Sequence, residues 1–271
     1  MERIKLALEK ARQQGLAGGL VDRGTGSKGR GDAVEPLEIS YVRTDVVELS
    51  TEHLERNRIL AYNKNHPSSW MFDILRTQVL QKMEQNNWRT LAVTSPNPEA
   101  GKTVVAINLA MSIAHQTQRT SVLVDFDLRR PMVANYLGIH REKSLNDVLE
   151  GSADIAEAMV NPNLPRLTVV PANKAVEKSS ELLSSRRVQK IINELRDRYQ
   201  DRVVIFDLPP VLSADDALAV LPKIDCVLVV VGNGMSSKRE IEDSLRHLSQ
   251  SNVVGVVLNK SEMPMRGHHH Y

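Results

Sequence analysis

Apolar residues along this chain fall into short runs that end at a polar residue, separated by stretches where they recur every third or fourth position. Leu91-Ala92-Val93 has the content of a buried strand. Comparable runs extend from Ser121 to Asp127, Leu167 to Ala172, Val203 to Leu208, Cys226 to Gly232 and Val253 to Asn259. Near-continuous runs of that length predict strands covered on both faces. A helical period appears in Trp70, Ile74, Val79 and Met83, and again in Val104, Val105, Ile107, Leu109, Met111 and Ile113. Two later stripes are Val188, Ile191, Leu195 and Tyr199, then Ile241, Leu245 and Leu248. Ser144 to Gly151 predicts a short helix under a loop rather than a lid. Strands alternating with helices imply an α/β fold, a doubly wound and mainly parallel sheet with helices on both faces.

A flexible N-terminal arm is expected ahead of this core. In residues 1–14, Ile4, Ala7, Leu8 and Ala11 share one helical face with Arg3, Lys5, Lys10 and Arg12 around it. That pattern suits a helix docking on a membrane protein or anionic lipid, and it equally suits a frayed end. Residues 15–35 hold seven glycines and read as a linker. Residues 36–66 read as semi-ordered, with Val46-Val47-Glu48-Leu49 and a helix N-capped by Thr51. The expected division is a docking helix at 1–14, linker and arm at 15–66, the α/β domain at 67–262 and a flexible tail at 263–271.

Composition removes several function classes. The chain is 41% hydrophobic but only 4% aromatic, which suits an aliphatic core rather than a base-stacking platform. A net charge of +2 gives no electrostatic demand for nucleic acid, and none is expected as a partner. The one cysteine, Cys226, sits in an apolar run and reads as a small core residue in a reducing cytoplasm. No apolar stretch approaches the roughly 20 residues of a spanning helix, and the charged start lacks a signal-peptide core. The expectation is a cytoplasmic protein, peripheral at the inner membrane through a partner.

Three of the polar strand ends make one chemical constellation. Thr94-Ser95-Pro96-Asn97-Pro98-Glu99-Ala100-Gly101-Lys102-Thr103 is a loop, kept out of helix by two prolines, that ends at a helix start. Free N–H groups and the positive dipole end favour phosphate there. Lys102 reaches the β- and γ-phosphates as a point charge, and the Thr103 hydroxyl ligates Mg²⁺. Pro98, Glu99, Ala100, Gly101 and Val104 complete the cradle. Asp207 closes another apolar strand as a metal-side carboxylate. Asp125 and Asp127 close a third, on one side of an extended chain and about 7 Å apart. Ligands of parallel sheets bind beyond the carboxyl ends of strands, so these ends predict a P-loop NTPase-like site for ATP and Mg²⁺. The strict P-loop pattern has glycine five residues before Gly101, where this chain has Pro96, and Glu99 places a negative charge beside a polyanion.

The trio resembles the Walker A, A′ and B motifs of the bacterial tyrosine kinase family, autokinases of capsule and exopolysaccharide export. Asp125-Phe126-Asp127-Leu128-Arg129-Arg130-Pro131 looks like that family's Asp-x-Asp-x-Arg signature with its Arg-Pro tail. Asp207-Leu208-Pro209-Pro210-Val211-Leu212 with Asp216-Ala217, and Val254-Gly255-Val256-Val257-Leu258-Asn259, are similar to it as well. The stretch from Ile4 to Ala11 resembles the start of autokinases from exosortase-associated exopolysaccharide loci. The resemblance implies phosphate binding by Lys102 and metal binding by Thr103, Asp125 and Asp207. It implies that Asp125 takes or orients the acceptor proton, that Asp127 supports the metal shell, and that Asn259 lies near the base. It also implies self-association and a transmembrane chain-length or co-polymerase partner.

The departures are specific. Where the family carries Pro-Gly-x-Gly-Lys, this chain has Pro98-Glu99-Ala100-Gly101-Lys102. Where it carries a Glu-x-x-Arg-x-x-Arg assembly motif, this chain has Trp70, Asp73 and Arg76. Where the family commonly ends in a tyrosine cluster, this sequence ends with one tyrosine, Tyr271, which reads as the phosphoacceptor candidate, as the start of a truncated tail, or as no acceptor at all. Alternatives are therefore an ATPase with water as acceptor, a nucleotide-gated regulatory subunit, or a positioning ATPase of the ParA or MinD kind. The last of these places a signature lysine where Asn97 stands.

Overall fold

The computed structural model describes residues 44–116 and 118–261. The expected docking helix, most of the linker and the tail with Tyr271 lie outside the described residues. Eight strands form one sheet: β1 (Asp45–Val46), β2 (Thr90–Thr94), β3 (Thr120–Asp125), β4 (Val160–Asn161), β5 (Leu167–Val170), β6 (Arg202–Asp207), β7 (Cys226–Gly232) and β8 (Val253–Asn259). Their order is β1-β4-β5-β3-β6-β2-β7-β8. Only the β4–β5 pair is antiparallel. The helices are α1 (Thr51–Arg56), α2 (Ser69–Gln85), α3 (Lys102–Ala114), α4 (Val133–Leu137), α5 (Leu145–Glu150), α6 (Ile155–Ala158), α7 (Ser179–Ser184), α8 (Arg186–Asp197), α9 (Asp216–Val220) and α10 (Lys238–His247).

Alternation along each strand sends successive side chains to opposite faces. Leu91, Val93, Leu123 and Ile205 pack with α2 and α3. Ala92, Val124, Val204 and Phe206 pack with α8 and with Leu248 beyond α10. Every residue of β2, β3, β6 and β7 is buried, as strands between two helical layers must be. Cys226 lies inside this core, and burial pushes its thiol up to about 12, so it is inert packing.

Several boundaries differ from the sequence reading, each for a local reason. The run from Ser121 leaves the sheet at Asp125, because the Asp125 carboxylate accepts the N–H groups of Asp127, Met132 and Val133 and bends the chain. The run from Leu167 stops at Val170, since Pro171 has no N–H for the ladder. Ser50, not Thr51, caps α1, its hydroxyl accepting from the His53 N–H. Trp70 and Ile74 are exposed, so only Val79 and Met83 of that stripe reach the core. Tyr199 lies past the end of α8 and is exposed.

The largest difference concerns residues 44–66, read from sequence as part of a semi-ordered arm. They supply β1 and α1, and Leu54, Ile59 and Ala61 are buried in the core. Several polar contacts hold them, with buried Asn108 at their centre and His115 bonded to the Ala61 carbonyl beside it. Asn108, fully buried on α3, accepts the N–H groups of Leu60 (2.7 Å) and Ala61 (2.8 Å) and donates to the Arg58 carbonyl (3.0 Å). A buried amide with its bonds filled specifies one placement of its partners.

Candidate active site

The loop between β2 and α3 is shaped by backbone geometry. Gly101 caps α3 at φ 89°, and a Cβ there would run into the Asn259 side chain, so both conformation and space require glycine. Asn259, at the end of β8, donates to the Ala100 carbonyl at 2.9 Å and pins the loop from the far side of the sheet. Thr94 donates its hydroxyl to the Pro209 carbonyl at 2.7 Å, and the N–H groups of Val211 and Leu212 donate to the carbonyls of Ser95 and Pro96. The loops after β2 and β6 are thus stitched together. Asn97 donates to Glu240 at the start of α10 (2.9 Å). Glu99 adopts φ 64°, so the loop takes a left-handed turn without the glycine that would ease it.

The charged centre lies where these loops meet. The Lys102 ammonium is 2.7 Å from Asp127 and 3.3 Å from Asp207. Thr103 donates its hydroxyl to Asp207 at 2.6 Å. Asp125 and Asp207 have no solvent exposure, and Asp127 is 5% exposed. Burial pulls the Lys102 pKa down, but Asp207 and Asp127 outweigh it and hold the ammonium above the usual lysine value. Burial raises Asp207, with Lys102 and Thr103 offsetting part of the shift. Burial, reinforced by Asp207, lifts Asp125 well above the ordinary carboxylate range.

A cavity of about 1030 Å³ opens above this centre. Pro98, Glu99, Gly101, Lys102, Thr103 and Val104 line its floor, with Asp127 and Asn259 beside them. Asp125 and Asp207 sit beneath the wall rather than on it, and Ala100 is buried. Of the three carboxylates, Asp127 is therefore the one a ligand in the cavity would touch.

Sequence reasoning left the support of this loop unassigned. Arg129 donates through Nε to Asp216 at 2.7 Å, and Asp216, fully buried at the start of α9, also accepts from Ser179 of α7. Arg129 and Asp216 both stood in the quoted motifs. Their pairing needed the third dimension, and nothing in the sequence pointed to Ser179.

Residues 89–253 match the AAA domain family. The chain is 32% identical over 181 residues to tyrosine-protein kinase CpsD of Streptococcus pneumoniae serotype 4, covering 65% of this chain and 77% of that protein. The chain belongs to the bacterial tyrosine kinase family. It is also 31% identical over 199 residues to tyrosine-protein kinase wzc of Salmonella typhimurium, covering 73% of this chain. It spans 30% or less of the length of the longer relatives it matches. The kinase domain of the Escherichia coli tyrosine kinase ETK superposes with a TM-score of 0.69 at 24% identity, over 81% of this chain and 92% of that one, and so shares the fold. These likenesses carry the family and not the exosortase-associated subtype. No helix among the described residues is long and apolar enough to cross a membrane.

The residues present fit Mg²⁺. Three buried carboxylates against one ammonium leave two negative charges when all are ionised, and Thr103 adds a hard oxygen beside Asp207. Among the described residues no group of three acidic or histidine side chains forms a ready cage. Mg²⁺ itself keeps several waters and binds through one or two protein oxygens together with phosphate oxygens.

Proposed function

We propose that this chain is an ATP- and Mg²⁺-dependent protein-tyrosine kinase serving exopolysaccharide or capsule synthesis, chain length or export. The observation that carries the reading is Lys102, held between Asp127 and Asp207 at the N-terminus of α3 with Thr103 on Asp207. The names of the relatives supply the acceptor class. Phosphate oxygens would compete with the two carboxylates for the Lys102 ammonium, while the α3 N–H groups take the remaining charge. Thr103, on the cavity wall, would hold Mg²⁺, with Asp207 acting from behind through the Thr103 hydroxyl or a water, and the ion supplies charge neutralisation at the phosphates when bound. A phenolic oxygen attacks the γ-phosphorus, the bond to the β–γ bridging oxygen breaks, and ADP leaves. Asp127, on the cavity wall, receives the phenolic proton. Asp125 fixes the loop that carries Asp127. The partner is a transmembrane chain-length or co-polymerase protein that brings the chain to the inner membrane, and self-association belongs to the same reading.

Incubation with Mg²⁺ and γ-labelled ATP, with and without the cytoplasmic tail of a candidate partner, followed by phosphosite mapping, tests this. Label on tyrosine is expected. Free phosphate with no labelled protein would replace the kinase by an ATPase. Bound nucleotide with neither product would favour a nucleotide-gated regulatory subunit, the reading that the strained, negatively charged Glu99 favours.

Glu99→Gly is expected to tighten ATP binding about three- to tenfold at low salt, since it removes one like charge partly screened by water. It also relieves a left-handed non-glycine residue. Glu99→Gln should recover the electrostatic share alone. Nucleotide titrations at two salt concentrations check this, and unchanged affinity for both variants would reject it.

A further inference from the structure

The cavity has a second wall that phosphate chemistry does not use. Arg58, Arg130 and Lys260 all line it, all are exposed, and none makes an ion pair among the described residues. The other two cations there are already matched, Arg56 by Glu52 and Arg129 by Asp216. Beside the unmatched cations the lining is apolar, with Leu60, Met71, Phe72 and Tyr136.

The backbone holds two of these cations, Arg58 and Lys260, in place at a cost. Six non-glycine residues among those described have φ between 50° and 68°, and three of them line this cavity: Arg58 (62°), Glu99 (64°) and Lys260 (59°). Such conformations persist where surrounding structure over-determines them, and they concentrate at binding and catalytic sites. For Arg58 the fixing group is Asn108, on the same helix that starts at Lys102, which grips the Arg58 carbonyl and the next two free N–H groups. Arg58 of the cationic wall and the phosphate floor are therefore tied to one helix, while Arg130 and Lys260 follow strands β3 and β8.

We propose that Arg58, Arg130 and Lys260 form a recognition rim for an acidic acceptor segment, a tyrosine flanked by aspartate or glutamate and presented by another protein. The inference rests on the kinase reading above and names its acceptor. The floor already provides Lys102 and the α3 N-terminus for phosphate, so the three further cations are available to a further anion. The adjoining apolar side chains suit the ring of the tyrosine. A cavity of about 1030 Å³ is at the upper end of small-molecule sites, roughly 300–1000 Å³, and leaves room for a second substrate. The segment around Tyr271 is a poor match by charge. Residues 262–271 contain Glu262 as their one acidic side chain, against Arg266, His268, His269 and His270. Acceptors in trans are favoured over Tyr271.

The test is binding of two fluorescent tyrosine peptides, one with glutamate flanks and one with lysine flanks, to the full chain loaded with Mg²⁺ and ADP. Anisotropy should show the acidic peptide bound at least about tenfold more tightly. Each of Arg58→Glu, Arg130→Glu and Lys260→Glu should weaken it about tenfold, the size of one charge-assisted hydrogen bond. The triple reversal should transfer preference to the lysine-flanked peptide, a gain that an unfolded variant cannot give. Equal binding of both peptides by the natural chain overturns the rim, as does loss of ADP rather than peptide on reversal. Charge-dependent binding without phosphoryl transfer upholds the rim and sinks the kinase reading, so the two failures are separable.

Discussion

Lys102→Met should abolish phosphoryl transfer and lower the folding free energy by about 3 kcal/mol at pH 7. The ammonium is the one cation contacting Asp127 and Asp207 among the described residues, and both carboxylates are buried. Methionine fills the space of the stem but leaves two buried carboxylates facing each other. Asp207, which burial already raises above its ordinary value, then loses the ammonium that offsets part of that shift and takes up a proton in the folded state. The stability this allows is complete below about pH 4 and is lost as pH climbs through the raised folded value. Urea denaturation should show a deficit that is small at pH 4 and large at pH 8. A variant as stable as the natural chain at pH 8 would mean that the ion pairs are not formed in solution. Full labelling activity in that variant would remove Lys102 from the mechanism.

Asp125→Asn should separate stability from activity. The folded-state pKa of Asp125 lies well above the ordinary value, burial being the main cause. The folded protein therefore holds a proton that the unfolded chain releases above about pH 4. That contribution is full below this value and disappears as pH rises through the folded pKa. Asparagine carries no such dependence. It keeps one oxygen for the N–H groups of Met132 and Val133 but loses the acceptor for Asp127 N–H. Thermal melts should find the variant less stable than the natural chain at pH 4 and more stable at pH 8. A constant difference across that range would show that Asp125 does not titrate as its surroundings demand. Tyrosine labelling should fall about 100-fold, because the loop that presents Asp127 is held by the lost acceptor and a shift of about 1 Å at a reacting group is enough.

The gathering of Lys102, Thr103, Asp125, Asp127 and Asp207 was legible because its parts are local. Gly101-Lys102-Thr103 is a contiguous helix start, and Asp125, Asp127 and Asp207 each end an apolar run, so a parallel sheet brings them together. The six main strands were legible from their unbroken apolar runs; five are buried on both faces, whereas β8, expected to be covered likewise, is the sheet edge and leaves Val253, Val256 and Leu258 exposed. β1 and β4 were not legible, because two residues carry no period. Residues 44–66 misled the reading because their polar hold on the core comes from Asn108 and His115, some fifty positions away, rather than from any pattern of their own.

By itself the sequence determined the α/β class, the family and which residues gather at the charged centre, all of which depend on residue order within single elements. Tertiary structure decided which carboxylate faces the cavity, what anchors Arg129, and that Arg58, Arg130 and Lys260 share one wall. Those facts depend on bends, close approaches and pairings between distant segments. The free energy that fixes them comes from burial and filled hydrogen bonds, which exist only once the sheet has assembled.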